Sequence, residues 1–145
     1  MSATDFYLEA MRRTDARDHA GFLAMQADDA VWQIGGQTLS GKDEIRGWLQ
    51  PFWQAFTTSR HVLEHVYEVE PDRVIAEGTF TGTHDGPLPM PDGTELPPTG
   101  KAIAFRFAMT VEREPGAEVA RAVRIYFDQL DFLGQLGLLP APAAA

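Results

Sequence analysis

The first residue with chemical promise is Asp128, in the run Val123-Arg124-Ile125-Tyr126-Phe127-Asp128-Gln129-Leu130. A carboxyl among apolar neighbours has its ionised form disfavoured. Its pKa rises toward the range where it can take and return a proton near neutrality. Two structural roles compete with that chemistry: an ion pair with Arg106 or Arg124, or acceptance of backbone N–H bonds where the strand ends. Parity in an uninterrupted strand puts Arg124, Tyr126, Asp128 and Leu130 on one face and Ile125, Phe127, Gln129 and Asp131 on the other. Tyr126 then stands beside Asp128, and its hydroxyl is a candidate donor to a substrate carbonyl. Asp131 is left as the N-cap of a short turn over 132–136.

His84 closes the segment Thr81-Gly82-Thr83-His84 before a proline-rich stretch. An imidazole there titrates near neutrality and is a candidate to orient or protonate a substrate oxygen; the alternative is a loop residue bonded to backbone. His61 and His65 lie four apart on an expected strand, so they should share a face, and no third ligand of suitable spacing accompanies them; no metal site is expected. His19, between helices, is expected in solvent. Trp32, Trp48 and Phe52 are candidate walls of a ligand cavity, although core packing is the default for rings at such spacing. Phe105, Phe107, Met109 and Val111 share one face of a strand and Arg106 the other. If the Arg106 face is the pocket, the cation would lie near Asp128, bind a substrate oxygen and lower the carboxyl's pKa.

The chain that must position these groups has 145 residues, a length that suits one domain over 1–139 followed by a frayed tail at 140–145. Twelve Lys and Arg against twenty-one Asp and Glu give a net charge of −9, a field that repels phosphate backbones and anionic lipid; neither nucleic acid nor a membrane surface is an expected partner. The absence of cysteine removes thiolate and disulfide chemistry, and the N-terminal residues lack the basic-then-apolar pattern of a secretory signal, so a cytoplasmic protein is expected.

Apolar spacing predicts a helix over 5–14 capped by Thr4 or Asp5, and a shorter one around Phe22, Leu23 and Met25. A strand is expected over 30–34, then a loop to Gly41 and a helix carrying Ile45, Trp48, Leu49, Phe52, Trp53 and Phe56, which Pro51 should kink or divide. Four strands follow at 60–70, 73–84, 101–113 and 118–131. Between the middle two, residues 85–99 hold five prolines and should form an irregular loop, which would gate a pocket. Helices followed by runs of strand predict an α+β fold, with helices on one face of a largely antiparallel sheet.

Five stretches, in this order, carry a likeness: Asp29-Ala30-Val31-Trp32, Leu39-Ser40-Gly41-Lys42-Asp43-Glu44-Ile45, Gly78-Thr79-Phe80-Thr81-Gly82-Thr83-His84-Asp85-Gly86, Leu96-Pro97-Pro98-Thr99-Gly100-Lys101, and Tyr126-Phe127-Asp128-Gln129-Leu130 through Gly137. Together the sequence resembles the SnoaL-like polyketide cyclase branch of the NTF2-like superfamily. The resemblance implies a cone-shaped barrel, with a curved sheet wrapped around the N-terminal helices, an apolar internal pocket and a homodimer. It also implies that Asp128 falls on the aspartate that serves as general acid/base in an intramolecular aldol closure. The expected enzyme is free of cofactor and metal, and cyclises or isomerises an apolar, carbonyl-bearing, polyketide-like molecule. The ketosteroid isomerase base has no counterpart, since Gln33 and Ile34 occupy its place. Two alternatives stand beside this reading: a non-catalytic module holding a small apolar metabolite, and an epoxide hydrolase-like enzyme to which Arg106 and Asp128 would contribute.

Overall fold

The computed structural model describes residues 1–139; the tail expected over 140–145 lies outside the described residues. Helix α1 (Ala3–Asp15) starts two residues earlier than its spacing suggested. The Ser2 hydroxyl, rather than Thr4 or Asp5, caps it by accepting the Asp5 N–H at 3.0 Å. Its apolar stripe of Phe6, Tyr7, Ala10, Met11 and Thr14 is buried. Helix α2 (His19–Ala24) is capped by Asp18 and followed by β1 (Gln26–Ile34), which is longer than expected. The stretch expected as loop before Gly41 contains β2 (Gln37–Ser40), antiparallel to β1. Helix α3 (Lys42–Ala55) runs through Pro51 without dividing. The carbonyl that proline leaves without a donor belongs to Gly47, an exposed residue where water can serve instead.

Strands β3 (Arg60–Glu70) and β4 (Arg73–Thr83) form a hairpin. The proline-rich segment is not wholly irregular. A two-residue ladder joins β5 (Leu88–Pro89) to β6 (Glu95–Leu96) and turns the segment into a small hairpin. Strands β7 (Ala102–Arg113) and β8 (Ala120–Phe127) follow, and α4 (Gln129–Gln135) occupies residues expected to prolong the last strand.

The large sheet has the order β2-β1-β8-β7-β4-β3, antiparallel except where β1 lies parallel to β8. It is curved and unclosed, and the helices pack inside its concave face, the α+β architecture expected. Met109, Ile125, Val123 and Ala76 point inward in register, while Ala108, Tyr126, Thr110 and Arg124 point outward. Two apolar clusters fill the interior. The larger packs α1 and α2 against the sheet; the smaller gathers Ala55, Phe56, Leu88, Ile103, Phe132 and Leu136 at the other end. Gly86 shows how closely that end is drawn together. A Cβ on it would lie 1.9 Å from the Gln54 carbonyl oxygen, and its own N–H donates to the Ala55 carbonyl at 3.1 Å.

Candidate active site

Between the larger cluster and the aromatic side chains of α3, β7 and β8 lies a cavity of about 110 Å³. Its walls are apolar nearly throughout: Trp32, Trp48, Phe52, Phe105, Phe127 and Met109 face it. An apolar cavity of about 150 Å³ holds one benzene-sized ring, which sets the scale of what this one accepts. The polar groups at its surface are few, and come from α1, the start of β1 and the start of β3: Tyr7, Thr14, Gln26, Ser59 and His61.

His61 reaches the cavity because β3 is bulged. It pairs with Phe80, an inward residue, but the register shifts between Leu63 and His65, so His65 pairs with outward Glu77 and stacks on Tyr67 instead. One extra residue, Glu64, thus undoes the shared face expected for the two histidines. Opposite the bulge stands Gly78, where a Cβ would lie 2.5 Å from the Val62 carbonyl oxygen. The His61 ring stands edge-on to Phe80 and Phe107, at 5.1 and 5.6 Å between centroids.

Asp15, at the end of α1, fixes that ring. Its Oδ1 lies 2.8 Å from His61 Nδ1, and its Oδ2 accepts the His61 backbone N–H at 3.1 Å. A carboxylate only accepts, so Nδ1 carries a hydrogen, and in the neutral imidazole the lone pair is then on Nε2. No protein group among the described residues engages that Nε2. Both side chains are about four-fifths shielded from solvent. A base oriented by a carboxylate and opening on an apolar cavity is the arrangement general-base chemistry requires.

Around this pair the other polar groups are either tied down or unpartnered. Arg17, in the left-handed region at φ 66°, holds Ser59 through its hydroxyl at 3.1 Å and its carbonyl at 2.7 Å. Burial pushes the Arg17 pKa down. Gln26 Oε1 accepts the Trp32 Nε1–H at 3.0 Å in the buried interior. The Tyr7 hydroxyl is buried without a hydrogen-bond partner, and burial, reinforced by the charge of Asp15, pushes its pKa up.

Trp32, Trp48 and Phe52 lie on the cavity as expected. The other four expected site residues do not line it. Strand β8 has the alternation expected, but Val123, Ile125 and Phe127 take the cavity side, so Tyr126 is exposed on the outer surface. Asp128 is corrected from interior carboxyl to exposed N-cap: it accepts the Leu130 and Asp131 N–H groups at 3.0 and 3.1 Å. The strand ends there, and a carboxylate at a helix N-terminus satisfies orphan donors that nothing else reaches. Asp131 therefore lies in the first turn of the helix it was expected to cap. Arg106 points outward and pairs with Glu64 at 2.9 Å, so it meets neither the cavity nor Asp128. His84 is fully buried but belongs to the neck of the β5–β6 hairpin, where its Nδ1 accepts from the Thr99 N–H at 3.3 Å and lies 3.0 Å from the Thr99 hydroxyl. That hairpin inserts Leu88 into the smaller cluster rather than over the cavity. His19, expected in solvent, instead stacks on Trp53 at 3.9 Å.

The His61–Asp15 pair was not legible beforehand. Its partners are 46 residues apart, and the one local signal was Gly78, which marks where the neighbouring backbone comes too close for a side chain.

Residues 4–122 match the SnoaL-like domain family, over most of the chain. The chain belongs to the SnoaL-like family. No curated protein sequence matches it. Solved structures with the same fold include AclR from Streptomyces galilaeus, provisionally described as a hydroxylase, with 20% identity over 95% of this chain and 97% of that one and a TM-score of 0.79. A protein of Pseudomonas putida provisionally described as a polyketide cyclase shares 20% identity, covering 93% and 98% of the two chains at a TM-score of 0.74. IdmH from Streptomyces antibioticus, described in the same terms, shares 17% over 94% and 99%, with a TM-score of 0.75. At such identities these likenesses establish the SnoaL-like fold, not a shared reaction.

Proposed function

We propose that this SnoaL-like protein is an enzyme performing general acid/base chemistry on an apolar, carbonyl-bearing molecule, with His61 as the proton carrier and Asp15 as the residue that positions it. The observation that carries this reading is the 2.8 Å contact between Asp15 and His61 at the wall of an apolar cavity. His61 Nε2 takes a proton from the carbon next to the carbonyl. The C–H electron pair moves into the enolate, whose oxygen takes the negative charge, and the imidazolium is stabilised by Asp15. Return of the proton to another carbon is isomerisation; attack of the enolate on a second carbonyl is aldol-type ring closure. The neighbours described as polyketide cyclases support this substrate class. Neither step asks for a metal or cofactor.

The test is exchange of the α-protons of cyclohexanone in deuterated buffer, followed by NMR. Wild-type protein is expected to accelerate the exchange, and His61→Gln to lower that acceleration by about 10²–10⁴. Asp15→Asn, which leaves the ring without its negative partner, should lower it as well. Saturable binding without exchange would favour the alternative of a non-catalytic module. The epoxide hydrolase-like reading loses its support, because Arg106 and Asp128 both lie outside the cavity.

We also infer a homodimer formed through the outer sheet face. Val62, Tyr67 and Tyr126 are each about half exposed there, with the small Ala108 and Thr110 between strands. Large apolar side chains spread over the outer sheet face suit a second copy of the same face. Light scattering should report a dimer at tens of micromolar and a monomer for Tyr126→Asp; a monomeric wild type would overturn the inference.

A further inference from the structure

We propose that Tyr7 is the second polar anchor of the cavity, donating its phenolic hydrogen to the carbonyl oxygen of a one-ring ketone or enone; this rests on the reading of the cavity as a ligand site. A buried hydroxyl without a partner is costly, because it has given up water and received nothing. The Tyr7 hydroxyl is such a group, on a side chain that is 1% exposed and lines the cavity. The charge of Asp15 and the apolar walls both keep the phenol protonated, so it remains a donor across the neutral range. The cavity wall therefore carries an acceptor, Nε2 of the neutral His61 ring, and a buried donor without a partner, the O–H of Tyr7. A ketone with an acidic C–H beside its carbonyl carries the complement of both.

Two other polar side chains at the wall have their oxygens engaged. Gln26 holds Trp32 through its oxygen, and Ser59 is held by Arg17. As the C–H bond of the ligand breaks, charge grows on its carbonyl oxygen, and a donor fixed there is worth more to the enolate than to the ketone. Tyr7 would thus act on rate as well as affinity. The volume of about 110 Å³ is on the scale of one ring, so a second fused ring should fit less well.

The probe is cyclohexanone labelled with carbon-13 at the carbonyl, read by infrared difference spectroscopy and titration on the intact protein. The stretch of the bound carbonyl is expected below its value in hexane, and Tyr7→Phe should return it to that value. Affinity should fall about three- to tenfold, the weight of one net hydrogen bond. Methylenecyclohexane, the hydrocarbon of the same shape, should bind both proteins alike. Tyr7→Phe should melt no lower than wild type, because it deletes an unmatched group. The two-ring ketone 2-decalone should bind at least tenfold more weakly than cyclohexanone. A stretch or affinity indifferent to Tyr7→Phe, or no saturable cyclohexanone binding by wild type, overturns the proposal; 2-decalone binding as tightly as cyclohexanone overturns the one-ring limit. If the carbonyl is shifted through Tyr7 yet its α-protons do not exchange, the role of His61 as proton carrier fails while the anchor at Tyr7 stands.

Discussion

Asp15 and Asp128 carry the same side chain and do different work because of the donors each one meets. Asp15 meets an imidazole and the backbone N–H of the same residue, so its charge is spent on orienting a ring at the cavity. Asp128 meets the first free N–H groups of α4 and stands in solvent. Asp128→Ala should therefore cost about 1 kcal/mol of stability, as loss of an N-cap does, and leave cyclohexanone exchange unchanged; Asp128→Asn should cost less, because asparagine caps as well. Urea melts and the exchange assay check the two halves separately. A loss of exchange with stability intact would return the proton-carrying role to Asp128.

At the scale of elements, two short pieces close the smaller cluster: α4, and the β5–β6 hairpin. Strand β7 runs past the end of β8, whose last pair is Phe107 with Phe127, and Gln135 fills the gap. Its amide accepts the Ala104 N–H at 2.7 Å and donates to the Ala104 carbonyl at 2.8 Å, as a neighbouring strand would. That contact anchors α4, and Phe132 from α4 then packs within 6 Å of Phe52, Phe56 and Phe105. The hairpin is held where Asp85 and Gly86 both donate to the Ala55 carbonyl. Gly86→Ala forces a methyl into the Gln54 backbone, and should cost about 1–3 kcal/mol as over-packing does. Thermal melts would show it. If the hairpin were a loose gate, the substitution would be nearly silent.

Over the whole molecule the net charge is −9, and many carboxylates are held by specific donors. Hydrogen bonds from Arg12 and Arg13 bring Glu9 down to about 2. The Arg121 guanidinium lowers Glu112, and the Thr57 hydroxyl lowers Asp85. A carboxyl with its pKa depressed on folding contributes stability that is fully present above its unfolded value and is lost as pH falls through its folded value. Melting temperature should therefore hold down to about pH 4.5 and fall steadily from there toward pH 2. These groups are largely solvated, so each contribution is small; Glu112→Gln should make the acid limb shallower. Tyr7 acts at the other end of the scale. Its raised pKa favours the folded state below pH 10, and that stability is lost as pH rises beyond it.

Periodicity alone determined where the long helices and the four main strands lie, because side chains three and four apart, or two apart, must share a face whatever surrounds them. The motif order supplied the family, and Trp32, Trp48 and Phe52 were legible as walls because large rings at helical or strand spacing face an interior. Which face of β8 that interior lies on was a tertiary decision. Alternation leaves both faces equivalent until the sheet curves, and curvature put Phe127 inside and left Asp128 outside as the N-cap of α4. The same holds for the proposed proton carrier. A bulge of one residue at Glu64 separates His61 from His65, and only folding brings Asp15, 46 residues earlier, within 2.8 Å of the imidazole.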